Sequence, residues 1–126
     1  MIYVNSDASY WAGWAGIAYE SAALGCASRL VPCASSTEGE LLALLLAMDA
    51  AAHARLTGVT FRTDCKASAQ PHRGESEALR PLRDRVAACL AEHRAHGWQL
   101  RKVSRSRNAL ANGLARRALR TLAEAP

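Results

Sequence analysis

Lysine is nearly missing from this chain: Lys66 and Lys102 are two of its 16 basic residues, and arginine supplies the rest. Aromatic residues make up only 6%, with a single phenylalanine. No apolar run reaches the roughly 18 residues that a transmembrane helix requires, which excludes a helical membrane span. Cysteine is present but unorganised. Cys26, Cys33, Cys65 and Cys89 never form a C-x-x-C pair, so the spacing gives no support to a zinc site. Small buried hydrophobes are the better reading of the four, with a disulfide pair left open. Repeats and low-complexity linkers are absent, and the composition fits neither a disordered nor a collagenous chain. Ile2-Tyr3-Val4 reads as strand from the start, leaving no basic and apolar leader of the secretory kind, so the cytoplasm is the expected compartment. At 126 residues the chain fits one domain, residues 1–126, with a core of its own.

What is present is lopsided charge. The net charge is +5 and the pI about 9.4, yet only Arg29 of the 16 basic residues falls in the first fifty positions. From residue 101 onward Arg101, Lys102, Arg105, Arg107, Arg116, Arg117 and Arg120 face a single acid, Glu124. A codon habit explains arginine over lysine but not this segregation. The favoured partner is therefore a nucleic acid; no membrane and no protein partner is indicated.

The first third reads as three strands, Met1 to Asp7, Gly13 to Glu20 and Leu24 to Val31, joined by short links as antiparallel neighbours require. Ser35 and Glu38 have capping-box spacing ahead of a helix running to about Arg55. That helix is apolar almost all round and should be packed on several sides. Val59 to Thr63 is a fourth strand, ending at Asp64. After a break around Pro71 and Gly74, a helix is expected from about Ser76 to Ala95, then a strand from Trp98 to Val103 and a last helix from Asn108 to about Ala123. Such a βββαβαβα order implies an α/β fold with a mixed sheet, antiparallel first and parallel later.

Acids are scarce, so their placement matters. Asp7 and Asp64 close strands that would lie side by side, where open α/β sheets place their sites. Singly, each is a common turn former; together, two carboxylates so close call for a neutralising divalent cation, and Mg²⁺ takes such oxygen ligands. Glu40 shares a helix face with Ala43, Leu44 and Ala47, which must pack on the sheet, so it needs a polar partner there. A second capping box with Thr37 as its cap is the alternative for Glu40, whereas Glu38 is explained as the cap residue.

The chain resembles ribonuclease H, type 1. Ile2-Tyr3-Val4-Asn5-Ser6-Asp7-Ala8-Ser9 is similar to the opening strand of that family, and Gly13-Trp14-Ala15-Gly16 to its second. Glu40-Leu41-Leu42-Ala43-Leu44 resembles its Glu-bearing helix, and Thr63-Asp64-Cys65 its Thr-Asp-Ser turn. Asn108 through Ala115 resembles its last motif, Asn-x-x-Ala-Asp-x-Leu-Ala. The motifs follow in order along the whole chain.

The resemblance implies a ribonuclease H-like five-stranded mixed sheet of order 3-2-1-4-5 with helices on both faces. It implies an endoribonuclease that cuts the RNA strand of RNA/DNA hybrids, using two Mg²⁺ ions about 4 Å apart, with Mn²⁺ as a substitute. Asp7 would then bridge both ions, Glu40 and Asp64 would hold the ion on the leaving-group side, and Asn112 occupies the position that serves the other. Here the chain departs from the family, which has Asp where this sequence has Asn112. An amide offers a carbonyl oxygen but no negative charge. A non-catalytic module that binds hybrid or double-stranded nucleic acid is the alternative reading. Ala8 and Ser9 would let the RNA backbone approach, Thr37 matches a hydrogen-bonding position against the hybrid, and Arg105 stands where some members carry a histidine. Asn108 could bond backbone or substrate, and as a helix N-cap it would already have a structural role. Arg116, Arg117 and Arg120 are read as a solvated face, the four histidines as surface residues, and Trp14 as core.

Overall fold

The computed structural model describes residues 1–69 and 77–124. Five strands form one sheet: β1 (Ile2–Trp11), β2 (Trp14–Ser21), β3 (Gly25–Pro32), β4 (Val59–Thr63) and β5 (Gln99–Lys102), in the order β3-β2-β1-β4-β5. The β1-β2 and β2-β3 pairs are antiparallel, and β4 is parallel to both β1 and β5. The helices are α1 (Ser36–His53), the single turn α2 (Lys66–Ala69), α3 (Arg80–Glu92) and α4 (Ala109–Glu124). The expected mixed sheet and its strand order are both present.

The start of α1 follows its sequence signal. Ser35 Oγ accepts from the Glu38 backbone N–H at 3.2 Å, while the Glu38 carboxylate reaches back to the Ala34 N–H rather than to that of Ser35. Leu41, Leu44, Leu45 and Met48 then pack on Val4, Val59 and Phe61 of the sheet, with Val86 of α3 closing the other side. Phe61 meets Trp98 edge-on at 4.9 Å, and the Trp98 indole N–H donates to the Leu56 carbonyl, so a large ring is buried with its polar atom satisfied.

On the opposite face α4 lies against β1, β2 and β3. Ala111, Ala115 and Ala118 form its buried stripe, and Gly16 permits the close approach. A Cβ at Gly16 would sit 2.0 Å from the Ala115 carbonyl oxygen, so no other residue fits without moving the helix. Arg116, Arg117 and Arg120 are exposed, as expected of a solvated face.

Several expectations are corrected. β1 runs on to Trp11 instead of stopping at Asp7, because the antiparallel partner β2 pairs with it along its whole outer half. Helix α3 is shorter than expected, flanked by 3-10 turns at Glu77–Leu79 and Arg94–His96; Pro71, His72, Gly74 and Ser76 lie outside the described residues. All four cysteines are free, and only Cys33 is buried; Cys26 is exposed. Trp14 is half-buried rather than core, and His93 is stacked on Trp98 at 3.9 Å rather than lying free on the surface. Arg83, expected on no buried face, is buried on α3 with two guanidinium nitrogens lacking a partner among the described residues. No helix among the described residues is long and apolar enough to cross a membrane.

Candidate active site

The site forms where the parallel pairing of β1 and β4 runs out. Asn5 is level with Arg62, and the same register carried two residues further sets Asp7 level with Asp64. Asp7 remains within β1, held by its pairing with Ala18 of β2, while Asp64 sits in the turn that follows β4. That turn is fixed locally, since the buried Thr63 hydroxyl accepts from the Cys65 N–H at 3.1 Å. Glu40 enters from the first turns of α1, where Gly39 lets the helix rest on Ala8 and Ala15.

Asp7, Glu40 and Asp64 each bring a carboxylate oxygen within 4.8 Å of the others. Asp7 and Glu40 are buried and Asp64 is partly open. Glu40 Oε1 accepts from the Ala8 backbone N–H at 3.2 Å, and its Oε2 is buried with no hydrogen-bond partner among the described residues. Burial first, and the nearby Asp7 second, push the Glu40 carboxyl up to about 10. Asp64 is raised by the same two causes, with the Arg105 guanidinium opposing them from 3.9 Å. Three crowded acids with an orphaned buried oxygen make a costly arrangement for a bare protein and a suitable donor set for a hard divalent cation.

Asn112 arrives from α4 on the other face. Its Nδ2 donates to Asp7 Oδ2 at 2.6 Å, so the amide turns its nitrogen toward the acid. All four residues expected at the catalytic centre are thus brought together. Glu38 is outside it, at the helix cap.

An open cleft of about 370 Å³ lies over the acids, bordered by Ala8, Thr37, Glu40 and Asp64 together with Cys65, Lys102 and Arg105. Ala8, Thr37 and Arg105 therefore border the cleft beside the acids. Ser9 is half-buried in β1 and does not border this cleft. Asn108 is corrected more firmly: it is buried, and its Nδ2 donates to the Ser6 carbonyl at 2.7 Å. It ties the turn before α4 to β1, and its Oδ1, without a partner among the described residues, caps no helix N–H. The 3-10 turn Arg105–Asn108 runs directly into α4. Sequence reasoning missed Lys102 at the cleft. Its alternation along the last strand carried no signal beyond being one of only two lysines.

The family model described as reverse transcriptase-like matches residues 5–118. The chain belongs to that family. Among solved structures, RNase H1 from the halophilic archaeon Halobacterium salinarum is similar at 21% identity and a TM-score of 0.79, covering 95% of this chain and 98% of that one. The N-terminal RNase H domain of Rv2228c from Mycobacterium tuberculosis is 19% identical, with a TM-score of 0.82 and 98% of each chain covered. LC11-RNase H1, isolated from compost and solved with an RNA/DNA hybrid, is 17% identical with a TM-score of 0.82, covering 97% and 99%. The fold is that of ribonuclease H. No curated protein matches the sequence.

Proposed function

We propose that this chain is a divalent-metal-dependent ribonuclease H that hydrolyses the RNA strand of RNA/DNA hybrids. The observation that carries the reading is the convergence of Asp7, Glu40 and Asp64, with Glu40 Oε2 unpartnered among the described residues, beside an open cleft that Glu40 and Asp64 border. Asp7, Glu40 and Asp64, with the Asn112 carbonyl oxygen after an amide rotation, would hold the cation. Mg²⁺ held there would supply Lewis-acid stabilisation to a phosphate and favour an ionised water at neutral pH.

The chain's own residues do the rest. Ala8 is small enough for a sugar-phosphate backbone to come close to Asp7, and Thr37 borders the same cleft. A hydroxyl there can bond the RNA 2′-hydroxyl, which separates RNA from DNA. Lys102 and Arg105 receive phosphates at the cleft rim. Arg105 also offsets part of the negative charge at Asp64.

A second reading is a hybrid-binding module without catalysis, and the Asn112–Asp7 hydrogen bond favours it, because an amide there brings no charge to a cation. Incubating labelled hybrid, duplex RNA and duplex DNA with Mg²⁺, Mn²⁺ or chelator decides between them. Metal-dependent cutting confined to the hybrid's RNA strand supports the nuclease. Tight hybrid binding with no cutting in either metal supports the module.

A further inference from the structure

We propose a second nucleic-acid-binding groove, on the outer face of β4 and β5, that holds a single strand running on from the cleft. The part of the sheet that α4 leaves uncovered carries a depression of about 320 Å³ bordered by Tyr3, Thr60, Arg62, Arg101, Val103 and Arg107. Arg62 and Arg101 are register partners on adjacent strands. Like charges placed side by side repel, and Arg101 is met only by a neutral acceptor among the described residues, Gln99 Oε1 at 3.3 Å. None of Arg62, Arg101 and Arg107 has a carboxylate within salt-bridge distance among the described residues.

Arg62 is fixed in place. Its Nε donates to Asn5 Oδ1 at 2.7 Å, its guanidinium lies 4.2 Å over the Tyr3 ring, and Asn5 is held in turn by Glu20. Its two terminal nitrogens make no hydrogen bond among the described residues, so they remain available to a phosphate. A planar guanidinium with its orientation already set loses little freedom on binding an anion. Tyr3 is itself partly exposed beside it, and an aromatic ring next to arginines is how single strands are held without sequence preference. The depression suits a nucleotide rather than a duplex. Val103 borders both this groove and the catalytic cleft, which places the two around one edge of β5.

The partner class rests on the nuclease or hybrid-binding reading above, so the test separates the two. Fluorescence anisotropy in chelator, where no strand is cut, compares a blunt hybrid with hybrids carrying a single-stranded tail of about 8 nucleotides on each strand and end. A labelled single strand alone is the third probe. The tailed hybrid of one polarity should bind more tightly than the blunt one. The R101A/R107A variant, both positions exposed, should remove about tenfold of that affinity and lower the salt slope by about 0.7 for each phosphate no longer neutralised. Its affinity for blunt hybrid should change far less. Equal weakening on blunt and tailed probes overturns the groove, as does an equal gain from a duplex extension of the same length. Charges that only protect the β5 edge from aggregation would give that outcome. If no hybrid binds at all, the hybrid reading fails by itself. Single-strand affinity that still depends on Arg101 and Arg107 then supports the groove, and its absence overturns it.

Discussion

Asn112 donates its side-chain amide to Asp7 across 2.6 Å, linking α4 to β1 through the centre of the acidic cluster. The contact satisfies one oxygen of a buried carboxylate but brings no negative charge to the cluster. Asn112→Asp replaces a donor with a further negative ligand of nearly the same shape. We expect a gain of about 10- to 1000-fold in Mg²⁺-dependent turnover, equivalent to about 1.4–4 kcal/mol of barrier, and a smaller gain in Mn²⁺. Steady-state cleavage of one labelled hybrid by both proteins measures it.

Glu40 and Glu38 are two residues apart and should behave differently. Glu40→Gln keeps the acceptor for the Ala8 N–H and removes the charge, so metal-dependent cleavage and any Mg²⁺-induced rise in Tm should both disappear. Glu38→Gln should leave activity intact and cost at most about 1 kcal/mol of stability. Equal loss of activity in the two variants would contradict the assignment.

The raised carboxyls give a signed pH dependence. The Glu40 carboxyl stands at about 10 in the fold against an ordinary value of 4.5, so between those limits the folded chain holds a proton that the unfolded chain has released. Metal-free stability from this group is therefore greatest at the acid end and falls as pH rises through that window. Asp64 is shifted in the same direction. Thermal melts in chelator should show Tm falling above about pH 5, less steeply in Glu40→Gln. Mg²⁺ should raise Tm more at about pH 8 than at about pH 5.5, because the cation competes with the proton.

The hairpin between β1 and β2 turns through Ala12 and Gly13, both with positive φ, at 50° and 86°. A two-residue turn of this kind suits Asn-Gly, and alanine is strained at its first position. Ala12→Asn should stabilise the protein by about 1 kcal/mol, read as a higher Tm with unchanged activity.

At Gly16 the opposite is expected. The Cβ of Gly16→Ala would press on the backbone of α4, which cannot yield as a side-chain tip would. A loss of about 1–3 kcal/mol should follow, measured by denaturant unfolding.

Much of this architecture was legible because patterning and punctuation agreed. The cap at Ser35, the apolar helix behind it and the β-branched run Val59 to Thr63 all lie where the sequence puts them. The acids were legible as a set because they are few and the sequence pattern puts them at strand ends or on a buried face, although Asp7 lies within β1, just past the end of its parallel pairing with β4. Strand length was less legible. β1 continues past Asp7 because its pairing with β2 stabilises a polar and aromatic stretch that has no strong strand pattern of its own. Asn108 misled for a related reason: a residue that looks like a helix cap instead bonds the carbonyl of Ser6, a long-range partner that local sequence does not reveal. Arg83 and Lys102 were missed because a single arginine or lysine carries no periodic signal. Only the fold decides which of them is buried and which faces the cleft.

The central claim is that Asp7, Glu40 and Asp64 form a functional metal-dependent site for RNA/DNA hybrids. Its most direct test is cleavage of a hybrid with labelled RNA by the wild-type chain and by Asn112→Asp, with Mg²⁺ and with chelator. We predict metal-dependent cutting of the RNA strand, slow in the wild type and faster in the variant, with duplex DNA untouched. Absence of metal-dependent cutting in both proteins, each folded and binding the hybrid, would contradict it.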